Sequence, residues 1–261
     1  MPAQLHVALL GEPQVLYDGA PLTGFISAKA QALLFYLAAT GRAHSRDTLA
    51  TLFWDEMPES AAKKNLTKAL SNLRKLIGDL LQADNQSASL TWTSEIYVDL
   101  HLFEQVANGA DPELSALQEA VDQYRHDLLA GFLVKDAPVF EEWLWNERER
   151  LHQLALRSLH MLAERLAAAQ NEAQAIPYLT RLLTLEPLHE GAHMQLMLCL
   201  ARTGQRSAAL AQYDACCRLL AAELGTEPSA EFRACYQRIK AAGAPPPPQL
   251  ARLGPLCWPR N

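Results

Sequence analysis

The sequence lacks the features that mark membrane, secreted and disulfide-stabilised proteins. Its 261 residues contain no uninterrupted apolar run of about 18 residues, and the opening MPAQLHVALLGEP has neither the basic start nor the length of a signal peptide. The five cysteines are odd in number and show no C-x-x-C spacing, which favours reduced thiols in helix cores over disulfides or a zinc site. We therefore expect a soluble, folded protein with no membrane segment, and we predict a cytoplasmic location.

Signatures of nucleotide-dependent and hydrolytic enzymes are also absent. The sequence has no Walker loop, no G-x-G-x-x-G and no G-x-S-x-G. One pattern, HEGAH, matches the zinc-binding H-E-x-x-H motif with His189, Glu190 and His193. The motif falls in the first turn of a predicted helix, and Gly191 weakens that helix. We therefore prefer a structural role for it and predict no metal, no cofactor and no enzymatic activity.

Basic residues are few overall but concentrated in one segment. The formal net charge is −6, and residues 1–98 carry eight Lys and Arg against nine Asp and Glu, whereas the remainder carries fifteen against twenty. Residues 60–77 hold several basic residues and no acid; the basic residues are Lys63, Lys64, Lys68, Arg74 and Lys75. If these residues formed an isolated helix, a solvated surface would be the simpler interpretation of its basic face. The position of the helix in the fold therefore has to decide between a solvated surface and a binding surface.

Local patterns in residues 1–98 predict strands, three helices and a hairpin. The predicted strands cover 5–10 and 13–17, the predicted helices 27–40, 45–54 and 60–77, and the strand-like runs after them 80–81, 89–93 and 96–98. Ser27 and Ser45 are N-cap residues, and Asp18-Gly19 is a turn dipeptide. This order predicts a winged helix-turn-helix domain of the response-regulator type, whose third helix enters the DNA major groove.

From Asp99 the pattern is helical throughout, and we predict an all-α domain over residues 99–241. Apolar positions recur there with a 34-residue step, the period of tetratricopeptide helix pairs. The pairs are Ala175 and Ala209, Leu179 and Tyr213, Leu182 and Cys216, Leu183 and Cys217, Leu162 and Leu196, and Leu166 and Leu200. Residues 242–261 contain four successive prolines and are predicted to form an extended tether. The predicted fold class is mainly α with a small β part.

Several stretches together resemble one family: SAKAQALLFYLA, SRDTLATLFWDEMPESAAKKNLTKALSNLRKLIG, FLVKDAPVFEEWLWNERERL and LEPLHEGAHMQLM. Over residues 5–240 the chain resembles the Streptomyces antibiotic regulatory protein (SARP) family with its bacterial transcriptional activator domain. The resemblance implies an activator that binds tandem direct repeats of double-stranded DNA, often as a head-to-tail homodimer, and contacts RNA polymerase holoenzyme. In longer relatives such a tether leads to an ATPase domain, so the chain is interpreted as either a short regulator or the front of a longer protein.

The resemblance assigns DNA contact to the basic helix and to two neighbouring cations. The predicted contact residues are Lys63, Lys64, Thr67, Lys68, Ser71, Asn72 and Lys75, with Arg46 and Lys29 as phosphate partners. The cations would bind phosphates, whereas Thr67, Ser71 and Asn72 could read base edges. The family often has Arg at the positions of Thr67, Asn72 and Ala28, which implies fewer phosphate contacts in this chain.

The residues leave two other functions open. The acidic helical half and the missing arginines fit an adaptor, in which a tetratricopeptide groove binds a protein and a degenerate winged helix is only a scaffold. A zinc hydrolase would use His189, Glu190 and His193, and the metal content of the purified protein would test it. The adaptor is the stronger of the two alternatives, because it does not depend on a metal site in the first turn of a helix.

Overall fold

The structure is a computed structural model that describes residues 4–93 and 95–242. The chain is mainly helical with a small β part, as predicted. Its internal contacts divide it into two units, Met1–Ser158 and Leu159–Asn261. The predicted tether lies outside the described residues except for Ala242, which ends the last helix. Among the described helices, none is both long and apolar enough to cross a membrane.

The first unit contains two small sheets. Their strands are β1 (Leu5–Ala8), β2 (Gln14–Tyr17), β3 (Ala20–Pro21), β4 (His44–Ser45), β5 (Leu81–Ala83), β6 (Ser87–Leu90) and β7 (Ile96–Val98). One sheet has the order β3-β2-β1-β7, in which only β7 and β1 are parallel, and the other has the antiparallel order β4-β6-β5. Asp18 and Gly19 join β2 to β3 with φ angles of 52° and 79°, which confirms the predicted turn. Strands β3 and β4 are too short to show apolar alternation, and the sequence does not predict them.

Three helices follow β3: α1 (Ala28–Thr40), α2 (Arg46–Trp54) and α3 (Glu59–Ile77). Both predicted N-caps are confirmed, because the Ser27 and Ser45 side chains accept backbone N–H groups in the first turns of α1 and α2. Gly41 ends α1 in the left-handed conformation, where φ is 64° and a Cβ would lie 3.0 Å from the His101 ring. Every residue from 32 to 38 is buried, so α1 lies at the centre of the core.

After the β5–β6 hairpin the chain returns to the first sheet through β7, and a buried carboxylate marks this junction. Asp99 is 1% exposed. Its carboxylate accepts the backbone N–H groups of Leu9 (2.8 Å), Leu10 (3.1 Å) and Leu100 (2.8 Å). Burial raises the pKa of the Asp99 carboxyl. The three hydrogen bonds and the nearby Arg125 cation lower this pKa, but their effect is smaller than that of burial. The side chain therefore ties the end of β1 to the start of the following helix.

The helices after β7 begin within the first unit: α4 (Asp99–Ala107), α5 (Leu114–Gln123) and α6 (Pro138–Ala168), of which α6 continues into the second unit. Leu128 pairs with Leu10 in an isolated β-bridge, and Arg148 donates to the Leu128 carbonyl at 2.7 Å. The Trp143 ring packs on Tyr36 of α1 with 4.8 Å between ring centroids. The contacts of the first unit thus extend past the boundary predicted at residue 98, because a helical pattern does not indicate which neighbour it packs against.

The described part of the second unit is wholly helical. Beyond the end of α6 it contains α7 (Glu172–Leu185), α8 (Glu190–Arg202), α9 (Arg206–Glu223) and α10 (Ala230–Ala242). Helices α7 and α9 begin 34 residues apart, at Glu172 and Arg206, and Ala175 and Ala209 are both fully buried. The step does not extend to α10, because residues 224–229 lengthen the connection before it.

The described cysteines are free thiols in helices of the second unit. Cys199, Cys216 and Cys235 are buried and Cys217 is half-buried, whereas Cys257 lies outside the described residues. Burial raises the pKa of Cys216 to about 11, so its thiol stays protonated at neutral pH. A protonated, buried thiol is unreactive, which agrees with the predicted packing role.

Replacing Asp99 with Ala should lower the free energy of unfolding by about 2–4 kcal/mol, because the N–H groups of Leu9 and Leu10 would stay buried without an acceptor. Urea unfolding followed by tryptophan fluorescence measures the change. The matched control is Asp122→Ala, which removes an exposed carboxylate of α5 and should cost less than about 0.5 kcal/mol. Equal stability of the two variants would contradict the role assigned to Asp99.

Candidate nucleic-acid interface

Helix α3 has one apolar face and one basic face. Pro58 precedes its first residue, and Gly78 follows its last residue with a φ of 57°. The inward face is buried and consists of Ala62, Leu66, Ala69, Leu70, Leu73 and Ile77. These side chains recur at steps of three and four residues, so burying them fixes the rotation of the helix about its axis. The rotation in turn decides which polar residues face solvent.

A basic stripe, defined as Lys64, Lys68, Ser71 and Lys75, runs along the side of α3 opposite the buried face. All four side chains are exposed. Steps of four, three and four residues keep them on one side of the helix over a length of about 16 Å. No ion pair or side-chain hydrogen bond joins them to another residue in the described ranges. The three lysines are therefore available to an acidic partner.

Lys63 is also exposed, but acidic neighbours neutralise it. Its ammonium lies 2.6 Å from a Glu59 carboxylate oxygen and 2.9 Å from one of Asp47. The hydrogen bonds to Glu59 and then Asp47 raise the pKa of Lys63 above its ordinary value. The beginning of α3 thus carries paired charges, whereas the basic stripe begins one residue later.

Hydrogen bonds occupy the edge of α3 that faces the hairpin. Arg46 donates to the Thr67 hydroxyl at 2.6 Å and to the Asp84 carbonyl at 3.2 Å, so it links α2, α3 and the hairpin. Arg74 donates to the Ala83 carbonyl at 2.5 Å. Arg74 is not among the predicted contact residues. It follows Thr67 by seven residues, or two helical turns, and this spacing indicates that both lie on the same edge of α3.

The opposite edge of α3 holds the loop before α1. The Asn72 side-chain oxygen accepts the Ile26 N–H at 3.1 Å, and its amide nitrogen donates to the Gly24 carbonyl at 3.1 Å. Both ends of the amide are thus used within the protein, and the side chain is half-buried. This arrangement favours a loop-holding role over the predicted reading of base edges.

Lys29 has partners inside the first unit instead of facing solvent. Its ammonium donates to the Phe53 carbonyl at 2.6 Å and to the Asp136 carbonyl, and it lies 5.8 Å from the centre of the Trp54 ring. Burial lowers the pKa of Lys29, while the nearby Asp136 carboxylate raises it. A phosphate contact would require Lys29 to leave both carbonyls, so the structure favours an internal role over the predicted one.

The β5–β6 hairpin itself has an acidic tip. Residues 81–90, LQADNQSASL, contain Asp84 and no lysine or arginine. The Asp84 carboxylate accepts the N–H groups of Ser87 and Gln86, both at 2.7 Å, and these bonds lower its pKa. The cations beside the hairpin are Arg46 and Arg74, so any positive charge near the tip comes from the helices.

The HEGAH residues each have a structural partner in the second unit. His189 Nδ1 accepts the Ala192 N–H at 3.1 Å and caps α8, and Glu190 accepts the Ser229 N–H at 3.0 Å. His193 is 3% exposed, and its ring nitrogens lie 2.8 Å from the Pro187 carbonyl and 2.6 Å from the Gln212 side chain. Across the described residues no cluster of three potential metal ligands occurs. These hydrogen bonds favour a structural role for the motif over the zinc-site alternative.

Residues 98–240 match the family model of the bacterial transcriptional activator domain, which is more than half of the chain. The chain belongs to this family. Within this activator-domain protein the match begins one residue before the boundary predicted at Asp99 and ends within α10.

The relatives of this activator-domain protein are bacterial regulators. It is 29% identical to the regulatory protein AfsR of Streptomyces coelicolor over 259 residues, which cover 95% of this chain and 25% of AfsR. It is 23% identical to the regulatory protein DnrI of Streptomyces peucetius in an alignment that is 275 residues long. This alignment covers 96% of this chain and 96% of DnrI. The chain thus spans a quarter of the length of AfsR. The predicted membership of the SARP family is confirmed.

A solved structure shows the same architecture. Mycobacterium tuberculosis EmbR, in complex with a low affinity phosphopeptide, aligns with this activator-domain protein at a TM-score of 0.67 and 26% sequence identity. The alignment covers 92% of this chain and 66% of the EmbR chain. This likeness agrees with a mainly helical chain that has a small β part.

Replacing Asn72 with Ala should lower the free energy of unfolding by about 1–2 kcal/mol, because the Ile26 N–H and the Gly24 carbonyl lose their partner. Hydrogen exchange at the Ile26 amide should become faster. The control is Ser71→Ala, which changes the exposed neighbour and should leave both quantities unchanged. An unaltered exchange rate at Ile26 in the Asn72 variant would show that the side chain does not hold the loop.

Stability should fall as the pH drops below about 6.5, because burial lowers the pKa of His193 from its ordinary value of 6.5. The unfolded histidine binds a proton near pH 6.5, but the folded one binds it only at lower pH, so protons favour unfolding in this range. Urea unfolding at pH 7.5 and 5.0 measures the loss, which His193→Gln should reduce. The control His126→Gln replaces an exposed histidine and should leave the loss unchanged. Burial also lowers the pKa of His44, so some pH dependence should persist in both variants.

Proposed function

We propose that this chain is a sequence-specific DNA-binding transcriptional activator. In this proposal residues 1–98 form a winged helix-turn-helix domain with α3 as its recognition helix and the β5–β6 hairpin as its wing. Residues 99–241 form a tetratricopeptide-like activator domain. The observation that carries the proposal is the basic stripe, whose lysines have no counter-charge among the described residues.

The basic stripe has the dimensions that the major groove requires. The groove is about 12 Å wide and admits one α-helix, and a stripe of about 16 Å spans several base pairs along it. The three lysines lie where they can bind phosphates and set the register of the helix on the duplex. Ser71 lies between Lys68 and Lys75, so we assign base-edge contact to its hydroxyl.

The proposed contacts form a smaller set than the sequence predicts. Lys63 is paired with two carboxylates, and Lys29 and Asn72 are bonded within the first unit, so we assign these three to the support of the surface. Arg46 and Thr67 bond to each other, and we assign them to positioning the hairpin beside α3. The stripe therefore supplies the direct contacts and its neighbours hold its geometry.

The proposal includes two further partners that the family implies. The chain would bind tandem direct repeats as a head-to-tail homodimer, and it would contact RNA polymerase holoenzyme to activate transcription. Its relative EmbR of Mycobacterium tuberculosis is named a transcriptional regulatory protein, which supports a role in transcription.

Selection of fragmented genomic DNA on the purified protein at near-physiological salt tests the proposal. The wild-type protein should enrich a repeated motif, and Lys64→Ala/Lys68→Ala should lose this enrichment. On a duplex that carries the motif, the slope of log K against log salt should become smaller by about 2, because each phosphate contact contributes about 0.9. Arg157→Ala is the control, since it removes an exposed cation of α6 about 28 Å along that helix from its first residue.

Two results would contradict the proposal, and the first of them would support the adaptor function instead. A folded wild-type protein that enriches no motif would contradict sequence-specific binding. Equal enrichment by the wild-type protein and the double variant would contradict the assignment of contact to the basic stripe. Circular dichroism and the urea midpoint show whether each variant is folded, so that loss of binding is not confused with loss of structure.

A further inference from the structure

A further exposed lysine, Lys135, lines the same groove as the basic stripe, although it is far from the stripe in sequence. Lys68 of the stripe lines a groove whose other wall includes Leu133, Val134 and Lys135, from the loop before α6. Lys135 is exposed, and no ion pair or side-chain hydrogen bond joins it to another described residue. The loop therefore places Lys135, whose side chain has no partner among the described residues, on the same groove as Lys68 in the middle of the proposed recognition helix.

This loop, defined as residues 132–136, is held in place from both ends. The Phe132 ring meets the Phe35 ring of α1 edge-on, with 5.1 Å between centroids. The Asp136 carbonyl accepts a hydrogen bond from Lys29, which also binds the Phe53 carbonyl. Because Val134 is buried between these two attachments, the exposed Lys135 is carried by an ordered segment.

We propose that Lys135 is an additional phosphate contact and that the loop extends the DNA-binding surface beyond the winged helix. The inference rests on the proposed function, because it requires α3 to lie in the major groove. With Lys68 in contact with one phosphate, Lys135 across the groove would reach the backbone beside the bases that α3 reads. Such a contact adds affinity and register but no base specificity.

Lys29 has a positioning role in this arrangement. Its ammonium does not face the DNA; it joins the loop to α1 and to the end of α2. The exposed Asp136 carboxylate would repel a DNA phosphate. The orientation of the loop therefore decides whether Lys135 or Asp136 is nearer to the DNA backbone. Removing Lys29 should therefore weaken DNA binding only while Lys135 is present.

The first experiment measures salt-dependent binding of Lys135→Ala to a 30-bp duplex that carries the enriched motif. Affinity near 0.15 M salt should fall about fivefold, and the salt slope should become smaller by about 0.9, the contribution of one phosphate. Lys135→Arg should restore the slope, and the control Arg157→Ala should leave it unchanged. If no motif is enriched, the same variants are compared on a random 30-bp duplex at 50 mM salt.

A double-variant cycle tests the positioning role. Lys29→Met should weaken binding about as much as Lys135→Ala, and the double variant should bind no more weakly than either single variant. The urea midpoint of each variant is measured in parallel, so that a loss of fold is recognised. Additive losses in the cycle would contradict the proposed coupling between Lys29 and Lys135.

The two proposals fail in different ways. If Lys135→Ala binds with the wild-type affinity and slope while Lys64→Ala/Lys68→Ala loses binding, the loop contact is wrong and the proposed function stands. If the folded wild-type protein binds neither duplex, the proposed function and this inference are both wrong. A smaller slope for Lys135→Ala that Lys135→Arg restores supports the inference.

Discussion

The first unit depends on one buried carboxylate, that of Asp99. Strand β7 lies parallel to β1, and a parallel pair cannot be closed by a tight turn, so a long crossover must separate the two strands. Helices α1 to α3 and the hairpin all lie in that crossover. Asp99 follows β7 directly and accepts the N–H groups of Leu9 and Leu10. These hydrogen bonds close the crossover that contains α3.

The surface of α3 is divided into zones by the partners of its side chains. Paired charges lie at its beginning around Lys63, hydrogen bonds to Arg46 and to the loop before α1 occupy its two edges, and the lysines of the basic stripe lie between them. Because the lysines of the stripe have no ion pair or side-chain hydrogen bond among the described residues, the proposed function assigns the DNA contacts to them. The bonds of its neighbours restrain α3, so the proposed binding would require less ordering of this helix.

Local features of this fold were predictable because each depends on a few adjacent residues. Ser27 and Ser45 cap helices, Asp18-Gly19 forms its turn, and the spacing of apolar residues identifies the buried face of α3. The extent of the first unit was not predictable, because it depends on contacts such as that of Leu10 with Leu128. For the same reason the sequence suggested solvent-facing roles for Lys29 and Asn72, whose partners lie far away along the chain.

The sequence by itself determined the helices, the basic stripe and the family, because periodicity, helix caps and motif order depend on residues that are close together in the chain. Only the tertiary structure decided which lysines are free to bind a partner. A lysine is not free when its ammonium is bonded to a carbonyl or carboxylate from a distant part of the chain. Lys29 and Lys135 show both outcomes. Lys29 is held by the carbonyls of Phe53 and Asp136, whereas Lys135 is exposed on the groove that Lys68 lines. The loop of residues 132–136 supplies one of the two carbonyls and carries Lys135.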